Sequence, residues 1–156
     1  MANNVLKKEA DSNKSAIVEV QIIARNDIPA IHSIKQNGEV HHLGEVRDFQ
    51  WHDILKQFLP SNKLISFSWV HLKPGQCLLP HEHPMKSMII LVKGSARLTG
   101  QKNLLLKEGD VVITPPFASH GFEAIEESQG LSIQFEEGIY TDPENARVKF
   151  LEEEKS

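Results

Sequence analysis

Short apolar runs dominate the chain, many of them alternating with polar residues at a period of two and broken at close intervals by turn formers. Residues 17–23, Ile17-Val18-Glu19-Val20-Gln21-Ile22-Ile23, are rich in β-branched side chains and predict a strand that Asn26, Asp27 and Pro29 end. Asn37-Gly38 is a turn signal, with a short strand expected beyond it through Val40 and Leu43. One helix is expected: Asp48 can cap it, Trp51, Ile54, Leu55 and Phe58 recur at helical spacing, and Pro60 stops it. Its apolar stripe is expected against the outside of a sheet. Strand-like runs then follow quickly at residues 64–72, 88–92, 96–99, 111–114 and 131–135. Pro74-Gly75, Lys93-Gly94, Gly100, Glu108-Gly109 and Gly130 punctuate them. Strands so spaced, without helices between them, predict an all-β antiparallel sandwich or barrel, and a small jelly roll fits best. The barrel is expected over residues 17–140. Residues 1–16 hold too few apolar groups to offset the entropy of ordering and are expected as an arm. Residues 141–156 open on a capping pattern, Asp142-Pro143-Glu144, and end in an acidic tip at Glu152-Glu153-Glu154, which predicts a short helix or arm.

Composition narrows the setting. A chain of 156 residues fits one domain able to bury a core without covalent staples. With 40% hydrophobic and 24% charged residues, and no unbroken apolar run of about 18 or more, no membrane span is expected. The polar amino terminus resembles neither a secretory signal nor a transit peptide, so the expected location is cytoplasmic. The single Cys77 rules out an internal disulfide, in keeping with a reducing compartment. A net charge of −4 with no basic cluster argues against nucleic acid as a partner.

Eight histidines change the picture, because three fall in one arrangement. In His81-Glu82-His83 the two imidazoles at i and i+2 of a strand point to one face, roughly 7 Å apart along the backbone. Such a pair is either a pair of ligands or two ordinary core or surface histidines. His120 follows the run 111–114 after Pro115-Pro116-Phe117-Ala118-Ser119, and an antiparallel return can bring it beside the pair. Three neutral imidazoles with open positions suit one Zn, Fe, Mn, Co, Ni or Cu ion.

These residues resemble the cupin superfamily. The family's first motif runs Gly, five residues, His-x-His, three or four residues, Glu, six residues, Gly. The chain reads Gly75, five residues, His81-Glu82-His83, then Pro84-Met85-Lys86-Ser87 and six residues to Gly94. The second motif runs Gly, five residues, Pro-x-Gly, two residues, His, three residues, Asn. The chain has Gly109, Pro115 and His120 in those places, with Phe117 for the usual Gly and Ala124 for the usual Asn. The resemblance spans residues 64–135. It implies a cupin jelly-roll β-barrel with one or two short flanking helices, a metal held by His81, His83 and His120, and a small-molecule substrate. Ser87 stands where the usual carboxylate ligand would be, and a neutral hydroxyl is a poor ligand, so the implied site has three histidines.

Cupins lacking that Glu resemble thiol dioxygenases and a β-diketone-cleaving dioxygenase, which hold iron with three histidines. This favours Fe(II), with Zn, Ni, Mn or Cu as alternatives, and a non-haem dioxygenase acting on a chelating anionic substrate. A redox-neutral isomerase, cyclase or lyase, or a ligand-binding cupin without turnover, are the other functions such a barrel supports. Catalytic candidates are His71, Ser87 and Cys77; in a regular strand Cys77 shares parity with His81 and would face the cavity unless it is simply a buried small hydrophobe. His41, His42 and His52 are weaker candidates for substrate contact. Glu82 is expected to point away from the metal, Met88 to face the side opposite Ser87, and Phe122 and Phe135 to wall the cavity. Tyr140 lies beyond the last clear strand and does not match the tyrosine arrangement of thiol dioxygenases. Open sheet edges and the extra strand at residues 17–23, together with the resemblance to dimeric cupins, lead to the expectation of a homodimer.

Overall fold

The computed structural model describes residues 17–151. Strands β1 (Ile31–Gln36), β2 (Glu39–Asp48), β3 (Ser66–Leu72), β10 (Ser128–Gln134), β5 (Ser87–Lys93) and β8 (Val111–Thr114) lie in that order in a six-stranded sheet. A five-stranded sheet has the order β11 (Lys149–Phe150), β4 (Cys77–Glu82), β9 (His120–Ala124), β6 (Ser95–Gly100) and β7 (Leu104–Lys107). Every pairing is antiparallel. The core between the sheets includes Leu43, Val46, Leu72, Leu78, Leu98 and Phe122. This is the double-wound all-β barrel that the turn spacing predicts.

The strand registers arrange inward side chains of the first sheet in rows, because directly opposed residues share a face. Ser66, Gln134, Ser87 and Thr114 form one row across β3, β10, β5 and β8, and Ser68, Ser132, Ile89 and Val112 form the next. Val70, Gly130 and Leu91 follow. The interior thus passes from hydroxyls and an amide at one end to aliphatic groups at the other. The polar end is where a hydrated ion or a polar ligand costs least to accommodate. On the outer face the same registers make two wholly apolar rows: Trp69, Leu131, Ile90 and Val111, and Phe67, Ile133, Met88 and Ile113.

Several local expectations need correction. Residues 17–23 are not a strand: they run without regular structure or ladder partner. β-propensity describes fit to a neighbouring strand, and among the described residues no strand lies alongside. The first strand among the described residues is β1, joined to β2 through Asn37 and Gly38, which both take positive φ (51° and 81°) as a tight hairpin turn requires. The single helix is split. Asp48 accepts a hydrogen bond from Gln50 N (2.7 Å) and caps a 3-10 turn, Phe49–Trp51, before extended His52 caps helix α1 (Asp53–Phe58). Phe49, rather than the α1 stripe, packs on the sheet, stacking on Phe67 at 5.7 Å, while Phe58 is exposed. At the carboxyl end a 3-10 turn, Pro143–Asn145, stands where a short helix is expected, and β11 returns to pair with β4. The expected amino-terminal arm over 1–16 and the acidic tip at Glu152–Glu154 lie outside the described residues.

Candidate metal centre

His81 is presented to the barrel interior by a bulge. Leu78 pairs with Phe122 and His81 with His120, so β4 spends three steps where β9 spends two. The extra residue restores inward direction to His81 although Leu78, an odd number of positions away, also points in. The bulged backbone presses on β9 at Gly121, where a Cβ would lie 2.7 Å from Leu78 O and Pro80 N, so glycine is required there. The bulge also overturns the expectation for Cys77, which in a regular strand would share the face of His81. Cys77 is exposed, and neither a cavity contact nor a buried hydrophobe.

The three imidazoles come together. Ring centroids lie 4.4 Å apart for His81 and His120, 4.9 Å for His83 and His120, and 6.1 Å for His81 and His83. One ligand nitrogen of each lies within 4.8 Å of the other two, and all three residues are buried. Each Nδ1 lies beside a backbone carbonyl oxygen: Leu79 O for His81 (2.8 Å), Met85 O for His83 (2.8 Å) and Ala118 O for His120 (2.9 Å). A carbonyl only accepts, so each Nδ1 carries the proton and each Nε2 presents a lone pair. Burial, followed by repulsion from His120, pushes the His81 imidazole down to about 3 and His83 down to about 4; burial also lowers His120. All three rings are therefore neutral near pH 7, as ligands must be. Three fixed, neutral nitrogen donors suit one divalent transition-metal ion after a small closing of the rings to bonds of about 2.0–2.1 Å.

Around the rings is a small cavity of about 20 Å³, bounded by Ser68, Ser87, Ser132, Gln134, Ile139 and Tyr140 among others, and among the described residues no Asp, Glu, Lys or Arg lines it. Ser87 is inward and buried, but its hydroxyl is engaged with Thr114 Oγ1, and Thr114 Oγ1 donates in turn to Ser87 O at 3.1 Å. We expect Ser87→Ala to keep its full metal content while losing about 1 kcal/mol of stability, the worth of one neutral hydrogen bond. Metal analysis and denaturant melts of the variant test this, and loss of metal would make the serine a ligand.

The other candidates divide. His71 lies on the outward face of β3, with Nε2 2.9 Å from a Glu127 carboxylate oxygen, and does not reach the cavity. His41 stacks on Phe150 (4.3 Å), His42 is exposed, and His52 accepts the Leu55 N–H, so none of these lines it. Glu82 does stand away from the rings, in register with Lys149, and Met88 does face outward. Phe122 touches His120 edge-on at 6.2 Å but walls the aliphatic end of the barrel. Phe135 is partly exposed beneath Lys86 and is no cavity wall.

Tyr140 is the residue that pattern reasoning missed. It is buried on the cavity wall, burial holds its phenol well above the usual range, and its hydroxyl has no hydrogen-bond partner among the described residues. Its segment is clamped from both sides. Ile139 N donates to Gln134 Oε1 (2.8 Å), Thr141 Oγ1 donates to buried Asp48 (2.5 Å), and Trp51 Nε1 donates to Thr141 O (3.0 Å). No local signal marks a residue brought in by a loop after the last long strand. Phe117, in the place of a usual glycine, adopts φ 63°, and its N–H donates to His83 O (2.8 Å), tying one of the three histidines to the loop that leads to His120.

Comparison with known proteins agrees with the topology. Residues 68–133 match the Cupin domain family. A protein with a double-stranded β-helix domain from Klebsiella pneumoniae superposes with a TM-score of 0.52 at 21% identity, covering 86% of this chain and 100% of that one. The DMSP lyase DddQ from Ruegeria pomeroyi gives 0.49 at 20% identity, over 61% of this chain and 47% of that one. KdgF from Halomonas sp. gives 0.48 at 20% identity, over 51% and 76%. No curated protein matches the chain. The matched stretch carries all three imidazoles and the strands that aim them, so the likeness to the Cupin domain covers the candidate centre itself.

Proposed function

We propose that this chain is a non-haem iron dioxygenase acting on a small anionic substrate that chelates the metal. The observation that carries the reading is the donor set: three neutral imidazoles in a cavity that no charged side chain lines among the described residues. A ferrous ion bound there would keep its full 2+ charge and supply the electrons for oxygen chemistry. The protein's own residues do the rest. His81, His83 and His120 occupy one side of the ion's position and leave the other side to the cavity. Ser68 and Ser132 offer hydroxyls to a polar substrate, while Ile139 and Leu78 limit water. Tyr140 lines the same cavity, and its hydroxyl has no hydrogen-bond partner among the described residues. With no Lys or Arg on the wall, a substrate anion finds its counter-charge at the metal, which favours bidentate acids and enolates over substrates with a remote carboxylate.

Tyr140 also favours a second reading, a redox-neutral isomerase, cyclase or lyase using Zn, Ni or Mn, because a phenol beside a Lewis-acid site can move a proton. One experiment separates the two. Metal is assayed in natively purified protein, and metal-free protein is reloaded anaerobically with Fe(II), Zn(II), Ni(II) or Mn(II). Each form is then tested with chelating thiol acids, hydroxy acids and 1,3-diketones in an oxygen electrode. The expected result is substrate-dependent oxygen uptake with iron alone. Turnover without oxygen in the Zn, Ni or Mn form would overturn the dioxygenase in favour of the second reading.

A further inference from the structure

Behind the metal centre the two sheets enclose a second space. Leu72, Leu91 and Val112 wall it from one sheet, and Ala96, Leu106 and Phe122 from the other. Its volume is about 30 Å³, where one water needs roughly 10–15 Å³ of such space. Water is nevertheless a poor occupant. Among the described residues Ser128 brings the one polar side chain to the wall, and its hydroxyl already donates to the carbonyl oxygens of Ser95 and Glu126, each at 2.9 Å. A water enclosed here would find few of the polar partners that hold buried water, so the space takes an apolar molecule in preference.

Gly130 makes the room. It lies within β10, in register with Val70 on one side and Leu91 on the other, on the inward face that Ser128 and Ser132 share. A glycine inside a strand costs stability and is usually explained by a positive φ or by a close approach of backbone. Neither explains Gly130. Its φ is not positive, and among the described residues a Cβ there would meet nothing nearer than Ile89 Cγ2 at 3.4 Å, whereas one on Gly121 would collide with backbone at 2.7 Å. What the missing side chain leaves is part of the cavity. The cavity also adjoins the centre: Val70 and Ile89 line both spaces, and Phe122 on its wall meets His120 edge-on with ring centroids 6.2 Å apart.

Resting on the dioxygenase reading above, we infer that this cavity is a docking site for dioxygen, held behind Val70 and Ile89 next to the metal centre. Dioxygen carries no charge and has no hydrogen bond to satisfy, and its two atoms suit a space this small. A chelating anion fits neither the size nor the polarity. A segment of polypeptide, with backbone groups to pair, fits no better. The barrel thereby separates the two reactants, the anion at its hydroxyl-lined end and the gas at its aliphatic end.

The test uses the full chain loaded with Zn(II), which is diamagnetic and does not reduce oxygen, and dioxygen itself as the probe. Dioxygen is paramagnetic, and under oxygen pressure it is expected to speed relaxation of the Leu72, Leu91 and Ala96 methyl protons more than those of Leu43, which is also buried but lines neither cavity. Gly130→Ala puts a methyl group into the space and is expected to erase that difference with unchanged circular dichroism. In the iron-loaded protein it is expected to raise the Michaelis constant for dioxygen on the order of 10-fold, within what a two-atom ligand can gain from a pocket, leaving metal content and the constant for the organic substrate unchanged. Val112→Ile, which adds its extra carbon from β8, takes the place of Gly130→Ala if that variant loses its circular dichroism. Relaxation no faster at the cavity methyls than at Leu43, a difference that survives the substitution, or an unaltered constant for dioxygen would each overturn the inference. Fast relaxation at the cavity of a protein that consumes no oxygen with any metal would instead overturn the dioxygenase reading, and the docking role with it.

Discussion

Alanine in place of His81, His83 or His120 will leave purified protein with less than about a tenth of the metal that the wild type holds. Losing only an outer partner of a ligand already costs about 10–100-fold in affinity, and removing one of three ligands costs more. The three variants will also separate binding from folding. At 100 times its dissociation constant an ion adds about 2.7 kcal/mol to the wild type, so added metal will raise the wild type's melting temperature and leave the variants' unchanged. Elemental analysis and melting curves with and without chelator read both effects. Near-stoichiometric metal in all three variants would end the three-histidine assignment.

Tyr140→Phe will reduce turnover at least about 10-fold, in the range that a misplaced proton donor or orienting hydrogen bond costs, with metal content unchanged. Stability will hold or rise, since the substitution removes a buried hydroxyl that no described residue satisfies. This opposition of activity and stability is what a binding or catalytic hydroxyl predicts and a structural one does not. Kinetics on the substrate found by oxygen uptake, set beside denaturant melts, decide it. Unaltered turnover together with a loss of 1 kcal/mol or more would assign the hydroxyl to packing.

Much of the centre is legible in the sequence because its spacing is local. The His81-Glu82-His83 pair, the glycines that turn the hairpins and the run before His120 all report contacts made within a few residues. His120 itself does not arrive on the run 111–114, as the simplest return predicts. That run is β8 in the other sheet, and His120 begins β9, which pairs with β4. Strand neighbours remote in sequence leave no mark in an alternating pattern. Cys77 and residues 17–23 depart from the pattern for related reasons: a bulge shifts the parity of the first, and the second has no ladder partner among the described residues. The burial of Tyr140 on the cavity wall leaves no local signal, because contacts of its neighbours with Asp48, Trp51 and Gln134, none of them in the histidine motifs, place it.

The bulge between Leu78 and His81 makes the centre depend on parity. Apolar content tolerates drift, since Leu78, Leu79 and Pro80 can be exchanged for other hydrophobic residues without emptying the core. Register does not. Drawn out as a regular strand over the same residues, β4 would turn His81 toward solvent and its neighbour Glu82 inward, and only loss of one residue from this stretch would bring His81 back to the face of Leu78. The extra residue and the histidine it aims are thus one device, and Gly121 on the neighbouring strand is the space in which it works.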